Sequence, residues 1–259
     1  MINIKSAREI EIMRRAGEIA AGALKTAGEI IVPGMSTKKL DAHIRKYIES
    51  RGAFPSFFGY DPGDGRKYPA NACISVNDEV IHGIPSEEKI IKDGDIVKID
   101  VGARFNGYHG DCANTFYCGN KANMDPKKKK LIETVERGFY EGIKFASAGY
   151  RIGDISAAIQ NYVESSGFSI VREYVGHGVG KDLHEKPEIP HFVEPGKGKG
   201  QRLSENMVIA VEPMVNAGSC EVKIQGDKWT VKTSDGSLSA HYEHTVLIKK
   251  GGCELLTLI

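Results

Sequence analysis

The chain has 259 residues, 41% hydrophobic and 27% charged, which excludes a disordered or fibrous polymer and allows one sizeable core. Thirty-five Lys and Arg against 34 Asp and Glu leave a net charge of +1, without the cationic excess of a dedicated nucleic-acid or membrane-surface binder. No apolar stretch approaches a membrane span and the amino terminus, MINIKSAREIEIMRRAGEIA, is charged throughout, so no signal peptide and a cytoplasmic location are expected.

Ser6 and Glu9 form a capping-box pattern, and Ile10, Met13, Ala16, Ala20, Ala23, Leu24, Ala27 and Ile31 keep a helical spacing until Pro33-Gly34. Thr37 is placed to cap a second helix with Leu40, Ile44, Tyr47 and Ile48 on one face and Gly52 at its end. Residues 53–72 read as an irregular loop. From 73 to 119 the texture becomes short β-type runs, CISV, EVIHGI, DIVKIDV and CANTFYCG, separated by Asn-Asp, Asp-Gly and Asn-Gly turns. Asp125-Pro126 opens a third helix, with Leu131, Val135, Phe139, Ile143 and Ala146 on one side, and a fourth is expected at about 154–166. SIVREYV, MVIAVEPMV, EVKI, WTVKT and HYEHTVLI are strand-like again. The four lysines Lys127 to Lys130, unfavourable against the dipole of the third helix, are expected to face solvent; the sharper reading is a contact with an anionic partner such as ribosomal RNA.

This order, two helices then strands, occurs twice, and the residues repeat as well. GMSTKKLDAHIRKYIESRG at 34–52 overlays GYRIGDISAAIQNYVESSG at 149–167 with an offset of 115 and seven identities in nineteen positions, where composition alone gives about one. The expected architecture is α/β (α+β): two pseudo-symmetric αα-β halves, roughly 6–119 and 125–259, an antiparallel sheet covered by helices, and one domain over 1–259 with a cleft between the halves.

Cys73, Cys112, Cys118, Cys220 and Cys253 are odd in number and never spaced Cys-x-x-Cys, which disfavours a disulfide framework and a structural zinc site. The informative segment is DIVKIDVGARFNGYHGDCANTFY. A two-residue turn at Asn106-Gly107 pairs residues whose numbers sum to 213, so Asp100 faces Ala113 and Asp111 becomes its diagonal neighbour on the same face, ~7–8 Å away. Unless that face is open to solvent, two carboxylates there require a metal or a basic partner. The second half adds His177 and His184 in YVGHGVGKDLHEKP, Glu212 behind the apolar run Met207 to Val211, and Glu243 in HYEHTVLI. One imidazole and four carboxylates without a thiolate suit two neighbouring divalent ions of the Mn, Fe, Co or Zn kind better than a structural zinc.

VIHGIP, IDVG, the GD at Asp111, YVGHGVGKDLHEKP, VIAVEP and SAHYEHTV, in this order, closely resemble the motifs of the type I methionine aminopeptidases. The resemblance implies a pita-bread fold and a hydrolase that removes the initiator methionine from nascent polypeptides when the second residue is small. It also implies that Asp100, Asp111, His177, Glu212 and Glu243 hold two divalent ions (Co, Mn, Fe or Zn), Asp111 and Glu243 bridging them, His177 and Glu212 on one and Asp100 on the other. Such a pair makes water a nucleophile at neutral pH, Glu212 shuttles its proton, and His82 and His184 hydrogen-bond the substrate at the scissile amide. Tyr68, Cys73 and Trp229 fall at pocket-lining positions. Two features depart from the family pattern: Leu183 stands where an aromatic is common, and the loop DPGDGRK before Tyr68 is long. The 27 residues between His184 and Glu212 leave no room for the helical insertion of type II enzymes, so the resemblance is to a minimal, bacterial-type enzyme; a monomer is expected. The alternatives are an Xaa-Pro aminopeptidase or dipeptidase of the same fold, whose members usually carry an extra amino-terminal domain, and a noncatalytic peptide- or ribosome-binding relative, which typically has lost metal ligands.

Overall fold

A computed structural model describes residues 2–196 and 198–258; Met1 and Ile259, the bounds of the expected domain, and Lys197 lie outside the described residues. Helices α1 (Ala7–Ile30) and α2 (Thr37–Ser50) precede β1 (Phe54–Pro55), β2 (Cys73–Val76), β3 (Glu79–Ile81), β4 (Ile96–Phe105) and β5 (Tyr108–Tyr117). Helices α3 (Pro126–Ile143) and α4 (Ile152–Ser165) follow. Then come β6 (Ser169–Ile170), β7 (Gly176–Gly178), β8 (Glu185–Ile189), β9 (Val208–Val211), β10 (Met214–Asn216), β11 (Val222–Ile224), β12 (Val231–Thr233), β13 (Ser239–His241), β14 (Glu243–Lys249) and β15 (Gly252–Leu255).

The capping box forms: the Glu9 amide donates to Ser6 Oγ at 3.4 Å and the Ser6 amide to Glu9 Oε2 at 2.8 Å. The predicted stripe from Ile10 to Ala27 is buried, but Ile31 has left the helix for an extended conformation two residues before Pro33. Helix α2 is capped by Ser36, whose Oγ accepts the Lys39 amide, and not by Thr37 as expected. The Thr37 hydroxyl is engaged elsewhere, accepting from the Ser86 amide at 3.0 Å and donating to the Ser86 carbonyl at 3.2 Å. Helix α4 begins at Ile152, earlier than expected, because Asp154 accepts the Arg151 amide at 2.9 Å in the first turn.

The internal repeat has a structural counterpart. Helices α2 and α4 begin 115 residues apart and end 115 apart. Both are closed by a glycine in the left-handed region, Gly52 at φ +73° and Gly167 at φ +86°, where other residues are strained. The same carbonyls are capped in each: Ala53 to Ile48 and Phe168 to Val163, both at 3.3 Å.

A nine-stranded antiparallel sheet runs β1-β4-β5-β14-β9-β7-β8, with β2 added to β4 and β15 to β14. The β4–β5 hairpin keeps the register expected from Asn106-Gly107 through all ten pairs, from Phe105↔Tyr108 to Ile96↔Tyr117. Helix α1 crosses it where Gly110 faces Gly17; a Cβ on Gly110 would lie 2.5 Å from the Gly17 nitrogen, so neither strand nor helix tolerates a side chain there. One core cluster joins α1 and α2 to β4, and another joins α3 and α4 to the second half of the sheet. The expected continuous strand MVIAVEPMV is divided. It leaves the large sheet after Val211, because Pro213 brings no N–H, and resumes as β10 in a three-stranded sheet β13-β10-β6. SIVREYV contributes only Ser169–Ile170 as strand. Of the four consecutive lysines, Lys127, Lys129 and Lys130 are exposed as expected, Lys130 Nζ also donating to the Ser166 carbonyl at 2.8 Å at the end of α4, while Lys128 is half-buried and its Nζ donates to Gly94 O.

Candidate metal centre

Cross-strand partners share a face of a sheet, and alternate residues return to it. Cys73 opposes Asp100, Asp100 opposes Ala113, and Ala113 opposes Glu243, while Asp111 stands two residues before Ala113. Beyond β14, Thr245 opposes Ala210 and Ala210 opposes His177, with Glu212 two residues past Ala210. Pleating alone therefore sends Cys73, Asp100, Asp111, His177, Glu212 and Glu243 to the face opposite α1. Single ligand atoms of Asp111, His177 and Glu243 lie within 4.8 Å of one another. Glu212 Oε1 is 3.3 Å from His177 Nε2, and Asp100 hydrogen-bonds Asp111. The five residues singled out as ligands in the sequence thus converge.

Their chemistry is that of a cation site. Asp100 Oδ1, Asp111 Oδ1, Glu212 Oε1 and Glu243 Oε1 are each shut off from solvent without a hydrogen-bond partner. Burial first, and neighbouring carboxylates second, push the Asp100, Glu212 and Glu243 carboxyls well above their ordinary range; burial pushes Asp111 up to about 7. Divalent cations would remove that cost by binding the ionised forms. His177 is prepared in the same sense. Its Nδ1 sits 2.9 Å from the Gly178 carbonyl, which only accepts, so Nδ1 carries the proton and Nε2 presents a lone pair to the acids. Burial, reinforced by His184, holds His177 down to about 3, so its contact with Glu212 is not a charge pair. These donors fit a divalent metal ion of the Mn, Fe, Co or Zn kind.

A supporting layer was not foreseen from sequence. Thr245 Oγ1 accepts the Asp111 amide at 2.9 Å and donates to the Asp111 carbonyl at 2.8 Å, fixing the centre of the cluster. His191 Nε2 accepts the Glu212 amide at 3.1 Å. Threonine on an apolar strand and a single histidine in EIPHF carry no signal of these roles.

The acids form the floor of a cavity of about 310 Å³, near the lower end of the ~300–1,000 Å³ usual for ligand sites. Tyr68, Cys73, Trp229, His82 and His184, all marked in the sequence, line it. The Tyr68 hydroxyl donates to the Gly83 carbonyl at 3.0 Å, and its ring meets the Trp229 indole edge-on at 5.2 Å. His82 is in the left-handed region at φ +57° and packs edge-on against Tyr174. His184 lies 4.2 Å from the His177 ring and 4.8 Å from Tyr60. His82 is half-buried and His184 exposed at the cavity, and desolvation by the surrounding protein lowers each to about 4. Tyr60 and Tyr174 went unmarked in the sequence because each stands in a loop without periodicity.

A helix-covered, curled antiparallel sheet with an acid-floored cavity defines a metal-dependent hydrolase of the pita-bread type. Residues 11–250 match metallopeptidase family M24, and the chain belongs to that family. Over 259 residues it is 50% identical to methionine aminopeptidase 1 of Bacillus subtilis, each chain covered in full. Among solved structures it is similar to the methionine aminopeptidase of Thermotoga maritima, with a TM-score of 0.94, 42% identity and full coverage of both chains. A prolidase of Pyrococcus furiosus shares the fold at a TM-score of 0.78 and 26% identity, over 99% of this chain but 65% of its own. The comparisons favour the methionine aminopeptidases over the Xaa-Pro alternative. No helix among the described residues is long and apolar enough to cross a membrane.

Proposed function

We propose that the chain removes the amino-terminal methionine of nascent polypeptides whose second residue is small. The observation that carries this is the placement of four partnerless acid oxygens at the floor of a cavity walled by Tyr68, Cys73 and Trp229. Asp100, Asp111, His177, Glu212 and Glu243 would hold two divalent ions. The chemistry these supply when bound is Lewis acidity and the acidification of water.

The chain's own groups do the rest. The apolar walls receive one side chain and stop, which leaves the α-amine of the same residue beside the acids and makes the enzyme an exopeptidase. His82 and His184 are neutral at pH 7, so each can donate one hydrogen bond to the scissile amide as charge develops on its oxygen. Glu212 accepts a proton from the water as its oxygen bonds the carbonyl carbon, and returns it to the amide nitrogen as the carbon–nitrogen bond of that tetrahedral adduct breaks and the carbonyl re-forms.

The test is hydrolysis of Met-Ala-Ser against Xaa-Pro peptides after loading with Mn, Fe, Co or Zn separately. Release of methionine is expected; cleavage confined to Xaa-Pro bonds, or no cleavage with any metal, would overturn the reading.

A further inference from the structure

The long loop before Tyr68 has a physical role in the cavity. Its turn is stiffened by Asp61 Oδ1, which accepts the amides of Gly63 at 2.8 Å and Gly65 at 3.1 Å. Arg66 then leaves the loop and crosses to the turn between β11 and β12. Its Nη1 donates to the Lys228 carbonyl at 2.5 Å, and its guanidinium carbon lies 5.3 Å from the centre of the Trp229 ring. Asp64 holds the other side of the fork, accepting from Nε at 2.7 Å and Nη2 at 2.5 Å. On the strand side, Asp227 Oδ1 accepts the Trp229 amide at 2.9 Å. The indole is thus held between the Tyr68 edge and the Arg66 guanidinium, and Arg66, Trp229 and the acids line one cavity.

We infer that Arg66 is a specificity-determining residue, strapping the 61–66 loop over Trp229 so that the indole forms a fixed end wall to the side-chain cavity. This rests on the reading of that cavity as the methionine pocket. A planar guanidinium can stack on an indole while its edge donates to a carbonyl and a carboxylate; an ammonium cannot do all three. Cutting the strap leaves the wall standing on the Asp227 turn and the Tyr68 ring, with nothing over its outer side. The indole then swings outward, contact with methionine is lost, and longer or wider first residues gain room. The acids and the two cavity histidines are not bonded to Arg66, so the bond-breaking step is spared.

Trp229 is the only tryptophan of the chain, so its emission reports the wall without ambiguity. Metal-loaded wild type, Arg66→Ala and Arg66→Lys are compared by steady-state kinetics on Met-Ala-Ser and Phe-Ala-Ser and by acrylamide quenching. Arg51→Ala is the control, removing a cation over Tyr47 at 4.8 Å elsewhere on the molecule. Arg66→Ala should raise KM for Met-Ala-Ser about tenfold, keep kcat within about twofold, narrow the methionine-to-phenylalanine preference about tenfold and increase quenching. Arg66→Lys should follow it, and Arg51→Ala should match wild type. Unchanged quenching and KM in Arg66→Ala, or a fall in kcat with the preference intact, would overturn the inference. A wild type inactive on methionyl peptides would instead overturn the reading of the site and the specificity claim with it, leaving quenching to judge the strap alone.

Discussion

Lys5 and Glu185 form a buried ion pair, Nζ to Oε2 at 2.5 Å, with 3% and 8% of their side chains exposed. It ties the segment before α1 to the loop that carries His184, and Glu185 Oε1 also accepts the Lys181 amide at 2.9 Å. A Cβ on Gly180 would lie 2.1 Å from Glu185 Oε1 and 2.5 Å from Lys5 Nζ, so a side chain there would push the charged ends from this arrangement.

Removing one partner strands the other charge, which costs about 3–5 kcal/mol, whereas removing both charges is close to neutral. Lys5→Met should therefore lower the melting temperature by about 10 °C, and Lys5→Met with Glu185→Gln should recover most of the loss. Calorimetry of the three proteins checks this. A double variant as unstable as the single one would show that packing of the lysine stem, not the charge, matters there.

A second dependence is on acid. Glu9 closes the α1 capping box and accepts from the Tyr108 hydroxyl at 2.7 Å, and its bonds from Ser6 and then from Tyr108 hold its carboxyl down to about 2. A carboxyl whose pKa is lower folded than unfolded stabilises the fold above the unfolded value, and that contribution fades as pH falls from about 4.5 to 2. Glu9→Gln should flatten this limb of the stability profile while leaving the slope above pH 5 unchanged. Urea melts at pH 3 and pH 6 check it; equal pH sensitivity in both proteins would contradict the assignment.

Removal of metal gives a third test. Asp111 lies at the centre of four acids with partnerless oxygens, so the metal-free protein holds a cluster that folding alone disfavours. Ions that bind only the native state at 100 times Kd add about 2.7 kcal/mol, and EDTA should abolish that rise in melting temperature. Asp111→Asn should remove the metal-dependent rise while melting, in EDTA, no lower than wild type. Its backbone bonds to Thr245 are kept. A variant much less stable than wild type in EDTA would show that the aspartate is structural.

The site was legible where strand geometry is rigid. Asn106-Gly107 fixes one register, and that register alone puts Asp100 and Asp111 on one face. Helices α1 and α3 were legible from caps and periodicity, which are local properties. The features misread or not foreseen are those decided at a distance. Gly176-His177-Gly178 has neither alternation nor branching, and becomes strand β7 only by pairing with β8 and β9. Ser36 displaces Thr37 as a cap because Ser86, far along the chain, occupies the threonine hydroxyl. Lys98, 1% exposed with Nζ 2.7 Å from the Asn77 carbonyl, reads in sequence as an ordinary strand-surface lysine. Arg66 has only Asp64 as a local partner, and the contacts that place it at the wall, to Lys228 and Trp229, come from the other half of the molecule.

The proposed proton transfer is tested at Glu212. Its amide is held by His191, a backbone bond that survives any change of side chain, so Glu212→Gln should fold with normal secondary structure. The amide keeps a donor and an acceptor of similar size but cannot take up a proton, and turnover of Met-Ala-Ser should fall by about 10²–10⁴. KM should change far less than kcat, because the apolar walls that receive methionine are untouched. Glu243→Gln is the comparison, losing the same charge at a residue given no proton to carry. If the two variants lose turnover equally and both lose the metal-dependent rise in melting temperature, Glu212 acts through metal binding alone; a greater loss of kcat in Glu212→Gln at equal metal occupancy is the result that assigns it the proton.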